Sequence, residues 1–124
     1  MTDVVPRPLD DREREMLVAM VERGAAFDDD VVVTPADRAR WLAQVPGTWA
    51  GRPCGCGTCP SVELTDADGV TPAGERTRVV LEGGTTGALV LLFVDDDRLS
   101  YLELAPTHDT SFSRFPPVSD LVTG

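Results

Sequence analysis

The sequence has no lysine, no asparagine and no isoleucine, and His108 is its single histidine. Without lysine, no side chain can form a Schiff base, and the Gly-Lys-Ser/Thr motif of phosphate-binding loops is missing. One histidine excludes the two-histidine zinc-protease helix and any site built from several histidines of one chain. Since no catalytic signature accompanies the remaining residues, the sequence favours a non-enzymatic function.

Positive charge and long apolar segments are also scarce. Eleven basic residues face 21 acidic ones, so the formal net charge is −10, which disfavours the phosphate contacts of nucleic-acid binding and anionic membrane surfaces. The apolar segment GALVLLFV is far too short to cross a bilayer, and the N-terminus lacks the basic start and apolar run of a signal peptide. We therefore expect a cytoplasmic protein that contacts neither nucleic acid nor membrane, with a basic protein as its natural partner.

The first third of the sequence is patterned for two helices. Residues 8–24 place apolar side chains at helical spacing and end in Gly24, a residue typical of helix C-caps. Thr34, followed three positions later by Asp37, predicts the capping box of a second helix.

From residue 48 onward the pattern changes to that of strands. Residues 86–94 and 98–105 flank three aspartates and predict a β-hairpin. Both faces of its first strand are apolar, so we expect Leu89–Val94 to be the most buried strand and to lie centrally. The sequence predicts one α+β domain over residues 1–124, with two N-terminal helices packed on a mainly antiparallel sheet of four to five strands.

The segment Cys-Gly-Cys-Gly-Thr-Cys contains every cysteine of the chain, Cys54, Cys56 and Cys59. If the backbone is extended here, the first two sulfurs lie on one face, and the intervening glycines let the chain curl so that the third approaches. Three thiolates suit zinc, for which His108, Asp109 and water are the candidate fourth ligands, and soft sulfur also suits copper(I).

Two other interpretations of the cysteines stay open. The cysteines could carry reversible thiol redox chemistry. The plainest interpretation is structural: the glycines form a tight turn beside a buried strand, and the cysteines pack as small hydrophobic side chains.

Carboxylates of the predicted hairpin are the candidates for partner binding. Asp95, Asp96 and Asp97 lie in the turn, and Glu103 lies on the strand that follows. A carboxylate-rich face attracts a basic partner through complementary charge. The alternative is that these carboxylates only keep the surface soluble.

Three segments, LDDREREMLVAMV, CGCGTCPSVEL and LLFVDDDRLSYLEL, resemble a group of small, uncharacterised proteins common in high-GC bacteria. In that group a helix opening with Glu-Arg, a Cys-Gly-Cys-Pro-Ser-Val-like segment and a hairpin ending in Leu-Glu recur in this order. This chain differs by inserting Gly57 and Thr58 before its third cysteine. The resemblance implies no characterised activity.

In size, acidity and layout the chain is also similar in type to immunity proteins that neutralise a toxin. This likeness implies a small acidic interaction domain, immunity-like or regulatory. A metal-binding or thiol-redox protein centred on the cysteines is the alternative.

Overall fold

The helices form where the capping signals stand in the sequence. In the computed structural model, α1 spans Asp11–Arg23 and α2 spans Pro35–Leu42. Each begins with a capping box, headed by Asp10 in α1 and Thr34 in α2, and α1 ends at Gly24 as predicted. Among the described residues, no helix combines the length and apolar character needed to cross a bilayer. The structure describes residues 5–56, 59–70, 77–107 and 111–123.

The strands of the described chain form one seven-stranded sheet, in which every neighbouring pair is antiparallel. Their order across the sheet is β1-β3-β4-β7-β6-β5-β2. The strands are β1 (Arg7–Pro8), β2 (Ala25–Ala26), β3 (Trp49–Pro53), β4 (Val62–Thr65), β5 (Arg78–Thr85), β6 (Ala88–Asp95) and β7 (Arg98–Pro106).

The α+β class, the two helices and the antiparallel sheet are confirmed, but the prediction of four to five strands is wrong. The additional strands are β1 and β2, each of two residues. They are too short to show an alternating pattern in the sequence. Each lies at one edge of the sheet, beside α1 in the chain, where it pairs backbone groups that an open edge would leave exposed.

The core lies between the helices and one face of the sheet. Leu81, Leu92 and Leu102 face one another in register on β5, β6 and β7, and all are fully buried. Met16 and Met20 of α1 belong to the same buried cluster, which removes apolar area from water at about 25 cal/mol per Å².

Strand β6 departs from its predicted burial. Its residues Val90, Leu92 and Val94 are buried, but Leu89 on the opposite face is 45% exposed. The predicted burial of Leu89–Val94 is therefore confirmed for Val90, Leu92 and Val94 and wrong for Leu89, because the described helices belong to the core on the other face of the strand. The central strand of the seven is β7, with β6 beside it.

The predicted β6–β7 hairpin is confirmed, and its turn has a specific geometry. Asp96 and Asp97 both have left-handed backbone, with φ of 50° and 67°, as in the two-residue type I′ turns that match the twist of paired strands. A register shift after Phe93 leaves Ser100 as an extra residue on β7. This bulge brings the Ser100 hydroxyl to the carboxylate of Asp95, at 2.8 Å.

Candidate metal centre

The loop between β3 and β4 carries all three cysteines. Cys54 directly follows β3, and its backbone N–H donates to the carbonyl of Ser61 at 2.9 Å, which extends the strand pairing by one step. Gly55 then adopts a left-handed backbone, with φ of 81°, that favours glycine. The ladder therefore places Cys54 beside the returning chain, and the glycine turns the loop toward Cys59.

The sulfur atoms of Cys54, Cys56 and Cys59 converge, and we call this set the three-cysteine cluster. All three lie within 4.8 Å of one another, and the sulfurs of Cys56 and Cys59 are 3.2 Å apart. Zn–S bonds of about 2.3 Å in a tetrahedral site place two sulfurs about 3.8 Å apart. The distance between the Cys56 and Cys59 sulfurs is below that value and all three sulfurs lie within 4.8 Å, so the cluster is close to the spacing that one ion requires.

Buried groups of the sheet orient two of the thiols. The Cys59 thiol donates to the Ser61 hydroxyl at 3.2 Å, and that hydroxyl accepts from the backbone N–H of Leu104 at 2.9 Å. Ser61 is 1% exposed, so it ties the loop to β7. Tyr101, also on β7, lies close enough to Cys54 for this thiol to contribute to the raised pKa of the phenol. In metal sites, outer contacts of this kind orient the ligands.

The electrostatics favour the protonated form of Cys59. Burial raises the pKa of the Cys59 thiol, and the neighbouring thiols of Cys56 and Cys54 add to the rise, against the lowering effect of the hydrogen bonds with Ser61. Burial, together with Cys54, raises the pKa of Tyr101 to about 12. A cation that binds the thiols must therefore displace protons, as is general for thiolate sites.

The exposure of the cysteines argues against a purely structural role. Cys54 and Cys56 are exposed and Cys59 is half-buried, although free cysteine is among the most buried residue types. Packing as a small buried hydrophobic side chain is therefore contradicted for Cys54 and Cys56, and the wider structural interpretation of the segment stays a prediction. Cys59 also lines a cleft of about 250 Å³ together with Arg7 and Arg114, which gives solvent access to the cluster.

The candidate fourth ligands His108 and Asp109 lie outside the described residues, and their role stays a prediction. Among the described cysteines, aspartates and glutamates, the metal-compatible group consists of the three cysteines alone. The described cluster thus provides three of the four positions of a tetrahedral site.

The carboxylates predicted to bind a partner do not form one patch. Asp95 is 3% exposed, and its carboxylate accepts from Arg78 Nε at 2.7 Å. Asp97 accepts from Arg40 Nε at 2.6 Å and from the indole N–H of Trp41 at 2.8 Å. Both aspartates thus neutralise cations or satisfy donors within the fold.

The other two carboxylates are placed differently. The Asp96 side chain accepts from the backbone N–H of Thr77 at 3.0 Å. Glu103 lies opposite Leu91 in the middle of β7, six residues from Asp97 and so about 20 Å along the strand. The partner-binding role of all four carboxylates stays a prediction.

Sequence reasoning missed the groups that position the cluster. Ser61 and Tyr101 are separated from Cys54 by 7 and 47 residues, and neither belongs to a recognisable motif. Only the register that pairs Glu63 with Tyr101 brings β7 beside the cysteine loop. The alternation of side chains around Val62 could have indicated that Ser61 and Glu63 share one face of the sheet. It could not have indicated which strand Ser61 contacts.

Comparison with protein-family models, with curated proteins and with solved structures finds no match to this chain. The resemblance to small proteins of high-GC bacteria, the immunity-like type and the cytoplasmic location therefore stay predictions. The geometry of the described residues carries the functional argument.

Proposed function

We propose that this chain is a metal-binding protein that holds one zinc ion on Cys54, Cys56 and Cys59. The observation that carries the proposal is the convergence of three sulfur atoms within 4.8 Å on an exposed loop. No other described group of histidine, cysteine or carboxylate side chains converges in this way.

The donor set selects the kind of metal. Thiolates are soft ligands that favour zinc and copper(I), whereas magnesium and calcium prefer oxygen donors. Three thiolates and Zn²⁺ leave a net charge of −1 and one open position, which water or the imidazole of His108 completes. Zinc is the commoner ion of such sites, and copper(I) is the competitor that the sulfur donors also accept.

The test is the metal content of protein purified without chelators. We expect one zinc per chain, and we expect Cys54→Ser and Cys59→Ser to retain less than about a tenth of it, since each removes one of three thiolates. Ser113→Ala is the matched control, because Ser113 lines the same cleft as Cys59 without contributing sulfur, and it should keep its zinc. Protein that binds neither zinc nor copper(I) would remove the proposal.

Reversible thiol oxidation is a second candidate, supported by the 3.2 Å between the sulfurs of Cys56 and Cys59. A disulfide between them releases two protons and two electrons, which a low-molecular-weight disulfide accepts as it is reduced to two thiols. Cys54→Ser separates the candidates, because it removes a metal ligand and leaves the Cys56 and Cys59 pair intact. If that variant keeps a reversible two-electron couple while the parent protein binds no metal, the redox function replaces the metal function.

A further inference from the structure

The face of the sheet opposite the helices contains an apolar column. Leu89, Leu91 and Phe93 alternate along β6 with core residues, so their side chains share this face. Leu89 is 45% exposed, and Leu91 and Phe93 are half-buried. We call this surface the outer face, defined by Leu89, Leu91, Phe93, Glu63, Glu82 and Glu103.

Carboxylates bracket the column. Leu91 lies in register between Glu82 on β5 and Glu103 on β7, and side chains directly opposite on neighbouring strands have Cβ atoms about 5 Å apart. Glu63 adds a third carboxylate one strand further, opposite Tyr101. The half-buried Leu91 therefore lies between two acidic side chains on one surface.

The described structure does not neutralise these central carboxylates. Neither Glu82 nor Glu103 forms an ion pair with any described residue, and Glu63 has Arg52 only at 3.9 Å. Arg78 lies over the ring of Phe93 at 5.1 Å, and its charge is paired with Asp95. The outer face thus combines apolar area with uncompensated negative charge.

We propose that the outer face docks a basic amphipathic segment of another protein. Its apolar side chains cover Leu89, Leu91 and Phe93, and its lysine or arginine side chains lie beside Glu82 and Glu103. A helix is the form of segment that packs on a sheet face, and opposite charge steers its approach. A second copy of this chain is a poor occupant, because each copy carries a net charge of −10 and would oppose carboxylates to carboxylates.

The test uses a synthetic amphipathic helix of leucine and lysine, titrated into isotope-labelled protein while backbone amide shifts are recorded by nuclear magnetic resonance. We expect saturable shifts concentrated on β6 and β7 around Leu91 and Glu103, and weaker binding as the salt concentration rises. A leucine and glutamate helix of the same length should not bind. Shifts spread evenly over all acidic surfaces, equal binding of the acidic helix, or no binding would overturn the proposal.

Charge reversal provides the matched comparison. Glu82→Arg combined with Glu103→Arg should weaken binding at least about tenfold, and the milder Glu82→Gln with Glu103→Gln should weaken it in the same direction. Glu15→Arg combined with Glu22→Arg makes the same change in net charge on the exposed side of α1 and should alter affinity less than about twofold. If the two double-arginine variants lose the same peptide affinity, the peptide is attracted by net charge alone. That result would contradict a defined docking face.

This docking inference is independent of the proposed metal site. The peptide titration is carried out with a chelator present, so an absent zinc ion does not affect its outcome. Dimerisation of the chain through the outer face, measured by sedimentation, would also overturn the inference.

Discussion

The acidic turn and the cysteine loop each have three residues of one type, and the fold uses them differently. The acidic turn comprises Asp95 at the end of β6 with Asp96 and Asp97, and the cysteine loop contains Cys54, Cys56 and Cys59. In the β6–β7 turn, Asp95 and Asp97 accept hydrogen bonds from Arg78 and Arg40, so their charges are neutralised within the protein. In the β3–β4 loop, the three-cysteine cluster leaves two of its thiols exposed and brings all its sulfurs together. A cluster in the sequence indicates a ligand site only where the fold leaves the donor atoms convergent and reachable, as in the cysteine loop.

Removing zinc should have the largest effect on stability. An ion that binds only the folded chain stabilises it by about 4 kcal/mol when free zinc is a thousand times Kd. Urea unfolding of the zinc-loaded protein, before and after a chelator, measures this difference. In Cys54→Ser most of this stabilisation by zinc should be lost, and magnesium should not stabilise the parent protein. If a chelator leaves the unfolding midpoint of the zinc-loaded parent protein unchanged, the cysteine loop holds no stabilising ion. The contrast with the acidic turn would then be contradicted.

Asp95→Ala should give the next largest effect, through the acidic turn. It removes the acceptor of Arg78 and one acceptor of Ser100. We expect a loss of about 1 to 3 kcal/mol in the free energy of unfolding, and hydration of the freed Arg78 side chain keeps the loss from being larger. Asp68→Ala, at an exposed turn, is the control and should change stability by less than about 0.5 kcal/mol. Equal stability of the two variants would mean that the Asp95 contacts do not stabilise the fold.

Asp97→Ala should cost about 1 to 2 kcal/mol, because the indole N–H of the buried Trp41 loses its acceptor and alanine is strained at a φ of 67°. Asp97→Asn keeps an acceptor oxygen and tolerates left-handed backbone, so it should lose less than the alanine variant. Thermal unfolding of both variants checks the order. An asparagine variant as unstable as the alanine variant would assign the loss to charge alone.

Acid should weaken the acidic turn before it affects the metal-free cysteine loop. The hydrogen bond from Arg40 lowers the pKa of Asp97. Burial raises the pKa of Asp95, but the hydrogen bonds from Arg78 and Ser100 together outweigh this effect, so the pKa of Asp95 is also lowered. A carboxylate with a lowered folded pKa contributes its full stability above the unfolded value of about 3.8 and loses it as pH falls through the lower folded value. Unfolding free energy, measured in chelator from pH 6 downward, should therefore fall below about pH 4. The slope should be smaller in Asp95→Asn, and an unchanged slope would contradict the lowered pKa.

Cys54→Ser in metal-free protein should have the smallest effect. The side chain is exposed, so we expect a change of less than about 0.5 kcal/mol. Urea unfolding in chelator is the measurement. A loss as large as that of Asp95→Ala would show that the cysteines stabilise the fold by packing, and the contrast between the two loops would disappear.

Local signals predicted the helices and the hairpin because those signals act within a few residues. The capping boxes at Asp10 and Thr34 satisfy backbone donors one turn away, and the Asp96-Asp97 turn depends on its own backbone conformation. The two edge strands carried no such signal. Strand β6 looked apolar on both faces, but sequence alone could not show that the helices would cover only one of them.

The candidate site was predictable in its ligands and not in its surroundings. The spacing of Cys54, Cys56 and Cys59 favoured convergence of the sulfurs, which the structure shows. The contacts with Ser61 and Tyr101 depend on the register of β4 against β7, and register is set by nonlocal packing. The internal ion pairs of Asp95 and Asp97 depend in the same way on Arg78 and Arg40, which lie 17 and 57 residues away.

X-ray absorption at the zinc edge of the loaded protein tests the central claim most directly, since it counts the atoms bound to the ion. The three-cysteine cluster predicts three sulfur neighbours at about 2.3 Å and one nitrogen or oxygen neighbour at about 2.0 to 2.1 Å. Cys56→Ser should reduce the sulfur count by one if it retains the ion. A zinc ion surrounded by oxygen and nitrogen alone, or by a single sulfur, would contradict the site.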